Sequence, residues 1–351
     1  MAWAALGSAG EISKVYRDHR PERGVEPTRL RALLGSLDAR GDVGVVLSSC
    51  VQLATALPLL AESAPDSPAT AATLSGAAIT ALAATDIGAG SDLTSLCTRV
   101  EKLSNGIMVT GEKRWITNAT VADWLLVLAR HREGSHFTNF SWVLVPADAP
   151  GVSIEPADTA LFTGAGVGHI HLDAVVLPTS AVIGGVGRGL PTFARHIAVE
   201  RLAGGLWASA MCHRALSTTK KWLTGRGSLW QRESVREGFA RALVLARQLD
   251  ALAMALGPRI SEQRDHAAAA LLKASAGITI DQVLSVCAHL HGAQGFTISG
   301  IQQLRSEAAV FGIAGGTTEI VLAGVADQAD RLLLEFAPSE LRGECLDGVL
   351  R

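Results

Sequence analysis

Three short segments of this 351-residue chain carry residue types spaced for chemistry. The first is Thr85-Asp86-Ile87-Gly88-Ala89-Gly90-Ser91-Asp92. Small residues between the Thr85 and Ser91 hydroxyls let a backbone turn tightly and come close to a ligand. The second is Trp115-Ile116-Thr117-Asn118. On a strand, Trp115 and Thr117 would share a face, so that an indole could stack on a flat heterocycle while a hydroxyl bonds its rim. The third is Glu200-Arg201, set in the apolar, glycine-containing run from His196 to Gly205. An ion pair on a solvated helix face would do nothing chemical. Burial would instead raise the pKa of Glu200 and make it a proton acceptor from a weak carbon acid.

These segments need elements to hold them, and the texture of the chain supplies an order. The first 80 residues read as helical: Leu30, Leu33, Leu34 and Leu37 line one face behind a cap at Thr28, Val43 to Ala61 reads as one buried helix, and a short helix runs from Pro68 to Leu74. Glu11 to Gly24 reads as charged and irregular. Short apolar or alternating runs follow at 78–84, 107–110, 124–129, 142–146, 152–155 and 170–177, separated by turns such as Asn105-Gly106. They predict a compact β-barrel or sandwich. After the flexible joint Gly184 to Gly189, long helices are expected at about 191–223, 232–257, 261–291 and 317–335. The fold class is α+β, with a helical region at 1–77, a β-domain at 78–184 and a four-helix bundle at 185–351.

Composition narrows the class of function. A 48% hydrophobic, 18% charged chain with net charge −2 is globular and offers no field for nucleic acid or an anionic membrane. Five scattered cysteines without C-x-x-C spacing argue against a disulfide or zinc framework and for a reducing, cytoplasmic setting. The sequence shows no secretory signal and no run of about 18 uninterrupted apolar residues. His289 and His291 lie two apart with no third ligand at suitable spacing, so no metal site is expected.

Taken with the order of domains, the Thr85–Asp92 and Trp115–Asn118 segments resemble the flavin-binding segments of the acyl-CoA dehydrogenase family. The resemblance implies FAD, with Thr85 and Ser91 at its phosphate or ring edge and Trp115 and Thr117 on its ring. Ser91 would also touch substrate. Most members take the acyl α-proton with a glutamate in a Tyr-Glu-Gly-Thr setting, and the matching segment here, Ala314-Gly315-Gly316-Thr317-Thr318-Glu319, has Gly315 at that place. Isovaleryl and long-chain branches use a glutamate directly before an arginine on an earlier helix, which matches Glu200 and Arg201. The 25-residue interval from Arg201 to Arg226 agrees with the family's register. Arg226 would reach the flavin of a neighbouring subunit, although the usual following Phe-Gly is Leu229-Trp230. His289 to Phe296 resembles the Gln-x-x-Gly-Gly-x-Gly turn, placing His289, Gly292 and Ala293 at a partner's flavin diphosphate. Thr317 and Glu319 fall on flavin-side positions, and Arg201 and Gly315 on substrate-side ones.

The resemblance thus implies α,β-desaturation of an acyl thioester to the trans-2-enoyl product, with Glu200 as base and flavin N5 as hydride acceptor. The Gly315 N–H would help to polarise the carbonyl. It implies an electron-accepting flavoprotein and a homodimer or homotetramer. The stretch before Thr85 is shorter than is usual in the family, a trait of secondary-metabolism members whose thioester is carried on CoA or on a carrier protein. Two other classes stay open: an oxygen-using oxidase or monooxygenase on the same fold, and a non-catalytic oligomer scaffold.

Overall fold

The structure is a computed structural model that describes residues 2–88, 90 and 92–335. Helices α1 (Ala2–Ser8) and α2 (Glu11–Lys14) lead through two 3-10 turns into α3 (Pro27–Asp38). The segment from Glu11 to Gly24 is ordered by burial of Ile12, Val15 and Tyr16. Pro27 takes the first position of α3, where an N–H would go unused, so the cap is Glu26 and Thr28 lies inside the helix. The stretch expected as one helix is α4 (Val43–Val51), a π-turn (Gln52–Ala56) and α5 (Leu57–Ser63). Pro58 has no N–H for the carbonyl four residues back, and the Tyr16 hydroxyl donates to the carbonyl of Leu53 at 2.8 Å. Helix α6 (Pro68–Ser75) starts where the Ser67 side chain accepts from the Ala69 N–H and ends at left-handed Gly76.

Eight strands follow: β1 (Thr80–Ala83), β2 (Arg99–Leu103), β3 (Gly106–Ile116), β4 (Trp124–Arg130), β5 (Phe140–Pro146), β6 (Val152–Pro156), β7 (Gly168–Leu177) and β8 (Val182–Ile183). They form one sheet in the order β6-β7-β3-β2-β4-β5-β8, with β1 parallel to β4. The sheet curls, because Ile170 and Val175 of β7 share a core with Leu125, Val127, Val143 and Val145 of β4 and β5. The alternate residues Leu126, Leu128, Phe140 and Trp142 face a second core with Leu59 and Leu60 of α5. Strand β4 is therefore apolar on both faces, which explains its unbroken run of hydrophobic residues.

The chain then forms α7 (Gly189–Thr224), α8 (Glu233–Gln263) and α9 (His266–His291), which pack together through Leu202, Leu206, Leu249 and Leu272. The fourth long helix expected at 317–335 is broken into α12 (Thr318–Ala326) and α13 (Ala329–Leu334), preceded by α10 (Ile301–Ala308) and α11 (Val310–Ile313). Asp38 at the end of α3 ties the first helices to α7, accepting from Arg214 at 2.8 and 3.1 Å and from the Trp207 indole at 3.1 Å. By length and composition alone, Val43–Ser63 and His266–Phe296 would each be able to cross a membrane. The apolar window of the first is 83% buried inside the fold, which accounts for its composition, and that of the second is 50% buried.

Candidate active site

Helix α7 delivers Glu200 and Arg201 to a cavity of about 60 Å³. Leu47, Cys50 and Val51 of α4 form one wall; Val310, Phe311, Ala314 and Gly315 form another. The Thr55 hydroxyl, presented by the π-turn, donates to Oε2 of Glu200 at 2.9 Å. Burial raises the Glu200 pKa above its ordinary value, with the Thr55 hydrogen bond and the Arg201 charge pulling the other way. The same apolar setting, together with the Glu200 charge, pushes the Cys50 thiol up to about 12, so it stays protonated. Glu200 thus has the environment of a proton acceptor rather than of a surface ion pair.

Gly315 faces this carboxylate. A Cβ built on it would stand 3.7 Å from Glu200 Oε1, and its φ of +71° is one that side chains seldom adopt. Its carbonyl accepts from Arg201 Nε at 3.0 Å, while its N–H donates to no group among the described residues. Arg201 therefore lines the cavity and also clamps the loop that carries Gly315. Lys273 of α9 closes one side of the cavity; it donates to Thr318 at 3.5 Å, and burial, with help from Arg201, lowers its pKa to about 8. Thr317 caps α12 from an extended conformation and Glu319 is exposed in its first turn.

The Thr85 and Trp115 segments meet through β3. The Thr85 hydroxyl donates to the Arg114 carbonyl at 2.9 Å, and the Arg114 N–H returns a bond to the Thr85 carbonyl at 3.1 Å. Asp86 is buried and anchors the loop: its carboxylate accepts from the Cys97 and Thr98 N–H groups, each at 2.7 Å, and from Lys113 Nζ at 2.5 Å. Lys113 also donates to the Ala84 and Leu128 carbonyls, and burial lowers its pKa to about 8. Ser91 lies outside the described residues.

Trp115 and Thr117 are not placed by strand alternation. The register of β3 against β7 shifts between Lys113 and Ile116, Trp115 has a left-handed φ of 57°, and Thr117 lies in the turn beyond the strand. The bulge turns the indole outward, leaving it 59% exposed with its ring edge-on to His169. Asn118 then locks this turn to α4 by accepting from the Ser48 hydroxyl at 2.5 Å. The helix that walls the Glu200 cavity is thus also the one that holds the Trp115 turn.

The remaining residues form a second group. Arg226 follows the end of α7 and stacks over Trp222 at 4.7 Å, and Trp222 stacks on His291 at 4.6 Å. His289, Gly292 and Ala293 are exposed at the end of α9. Along α7, Arg226 is about 37 Å from Arg201 at 1.5 Å per residue, so this group does not join the Glu200 cavity within one chain.

Four residues that matter to this geometry escaped the sequence: Thr55, Lys113, Trp207 and Lys273. Lys113 left a signal, because a lysine at an inward strand position demands an acid and Asp86 sits in the adjoining motif. Lys273 interrupts an alanine-rich apolar stretch in the same way. Thr55 and Trp207 were hidden inside apolar helices, where nothing local marks them.

A helical front, a curled sheet and a helical bundle thus close around a half-buried glutamate. Two family descriptions match the chain: acyl-CoA dehydrogenase, middle domain, over residues 81–175, and acyl-CoA dehydrogenase, C-terminal domain, over residues 187–329. The chain belongs to the acyl-CoA dehydrogenase family. It is 29% identical over 263 residues to the acyl-[acyl-carrier-protein] dehydrogenase MbtN of Mycobacterium sp. (strain MCS), an alignment spanning 70% of this chain and 64% of that protein. A crystal structure of a probable acyl-CoA dehydrogenase from Mycobacterium abscessus superposes with a TM-score of 0.86 at 23% identity, covering 93% of this chain and 89% of the other. A glutaryl-CoA dehydrogenase from Mycobacterium smegmatis, solved in complex with FADH2, gives a TM-score of 0.83 at 20% identity, covering 93% and 85%.

Proposed function

We propose that this chain is an FAD-dependent dehydrogenase of acyl thioesters, with Glu200 as the base that takes the α-proton. The observation that carries the proposal is the half-buried Glu200 carboxylate, held by Thr55 and facing the bare Gly315 across a small apolar cavity. The residues present fit a flavin. Trp115 presents an exposed indole from a backbone conformation that functional sites keep at a cost. Ile87, Ile313 and Ile320 leave apolar surface exposed, at 59%, 65% and 53%. The Thr117 side chain makes no hydrogen bond among the described residues, so its hydroxyl is available to a ring edge. Thr85 would hold its loop in place through Arg114, and Thr317 and Glu319 stand beside the Gly315 loop.

Bound FAD supplies the acceptor for the hydrogen lost from the β-carbon. The chain's own residues do the rest. The Gly315 N–H donates to the thioester carbonyl and stabilises the negative charge that develops there. Glu200 removes the α-proton, and its raised pKa brings its proton affinity closer to that of the carbon acid. Cys50, Leu47 and Val51 keep water from the carboxylate. A backbone donor suits position 315 because the site needs no side chain there. Arg226, His289, Gly292 and Ala293, far from this cavity, suit contact with the flavin of another copy. CoA and an acyl carrier protein are the candidate thioester carriers, and MbtN is named for the second.

Anaerobic mixing with acyl thioesters tests the proposal. The purified yellow holoprotein is expected to bleach, and Glu200→Gln to keep its flavin while bleaching about 10²- to 10⁴-fold more slowly. Bleaching by Glu200→Gln at the wild-type rate would remove Glu200 as the base. A colourless protein that FAD cannot reconstitute would remove the dehydrogenase.

A further inference from the structure

We propose that the acyl group accepted by this chain is short, no more than about six carbons in length, and that Trp207 is the wall that sets the limit. This rests on the dehydrogenase assignment above, with Glu200 marking the reacting carbons. From Glu200 the cavity runs along α7. Gly204 lies about one turn on and Trp207 about two, and both line it. A Cβ on Gly204 would meet nothing within 4 Å, so bare backbone there leaves a path for the chain beyond the β-carbon.

At Trp207 the path stops. The indole is 2% exposed, and its ring meets Phe311 edge-on at a centroid distance of 4.7 Å. Its N–H donates to Asp38 at 3.1 Å, and Asp38 is itself held by Arg214. A methionine or leucine wall can change rotamer to admit more chain. A ring clamped by packing on one side and by a hydrogen bond to a charged group on the other does not.

Volume gives the length. An apolar cavity of about 150 Å³ takes the six carbons of benzene, so about 60 Å³ takes roughly two or three. The carbonyl carbon, α-carbon and β-carbon must reach Glu200 and Gly315, which line the same cavity, so counting all three outside it gives an upper bound. The sum is a chain of about five or six carbons.

The test uses holoprotein and saturated thioesters of four, six, twelve and sixteen carbons, on pantetheine and on CoA. Two readouts are taken: anaerobic bleaching by the wild type, and calorimetric binding to Glu200→Gln, which does not require turnover. Wild type should prefer six carbons over twelve by about tenfold or more in kcat/KM and in affinity. Trp207→Ala should remove most of that preference. Gly204→Val, which leaves the clamped ring untouched, should weaken six carbons more than four. Equal or better use of twelve and sixteen carbons by the wild type would overturn the limit while leaving the dehydrogenase intact. A folded Trp207→Ala with an unchanged profile would remove Trp207 as the wall. No response at any length in either readout would overturn the dehydrogenase assignment itself.

Discussion

Glu200 Oε1 and the vacant Cβ position of Gly315 are 3.7 Å apart. One cavity therefore has two backbone stations from which a carboxylate could reach the same α-carbon, one on α7 and one on the loop before α12. This chain fills the first. Glu200→Gly is expected to slow anaerobic bleaching about 10²- to 10⁴-fold. Adding Gly315→Glu should recover part of that loss. Recovery will be incomplete, because a side chain at φ +71° costs on the order of 1 kcal/mol. A double variant no faster than Glu200→Gly would show that the two stations are not equivalent.

Thr55 stabilises the charged form of Glu200, against the burial that raises its pKa. Under the proposed function Glu200 acts as a base only when deprotonated, so activity should rise with pH through its pKa. Thr55→Val removes a hydrogen bond to a charged group, on the order of 1.5–3 kcal/mol. That corresponds to a shift of roughly one pKa unit or more. The acidic limb of the bleaching rate should move to higher pH by that amount, and Thr55→Ser should move it back. An unmoved limb would show that the contact does not tune the base.

Asp86 and Lys113 are a fully buried pair, with side chains 3% and 0% exposed. Asp86→Ala strands a buried ammonium and also frees two backbone N–H groups. The expected loss is about 3–5 kcal/mol of unfolding free energy, measured by chemical denaturation. The loop after Asp86 should become sensitive to limited proteolysis between Ile87 and Leu96. A stable variant with a protected loop would mean that other contacts hold it.

Glu62 of α5 bonds to His196 and Arg195 at the start of α7, and its pKa is lowered to about 2, chiefly by the His196 hydrogen bond. A depressed carboxylate pKa contributes stability that is fully present above the unfolded value near 4.5. That contribution is lost as pH falls toward 2. Glu62→Gln should therefore lower Tm at pH 6 and flatten its decline between pH 5 and 3. Parallel Tm curves for the two proteins would show that the pair adds no pH-dependent stability.

Arg226 is too far along α7 to serve the cavity of its own chain. If it serves another copy, Glu200→Gln and Arg226→Ala damage different halves of a shared site. Each variant alone should bleach slowly. Mixed and reassembled, they should regain up to about a quarter of wild-type activity, the share of sites carrying neither change in a random dimer. No recovery after verified subunit exchange would place both residues in a site of the same chain or make Arg226 irrelevant.

Much of this was legible in the chain, for physical reasons that differ by element. Strand β4 and helix α7 announced themselves because burial forces their composition. Strand β2 did not, since of its five residues only Val100 is buried. Alternation gave the wrong reason for Trp115, because a bulge, not the pleat, aims the ring. Glu200 could be singled out from its neighbours Arg201 and Gly204, but its donor could not. The threonine that bonds it is 145 positions away, in a helix whose broken geometry depends on Pro58 and Tyr16 together.

The π-turn at Gln52–Ala56 holds one residue more than an α-helix of the same rise requires. Deleting that residue would let α4 and α5 run on as a single helix with its two ends nearly in phase, because the π-turn absorbs the extra residue locally. The main casualty would be the contact with the carboxylate. A lineage of such proteins could thus gain or lose control over its working pH by changing length by a single codon, with every atom that touches the substrate left as it was.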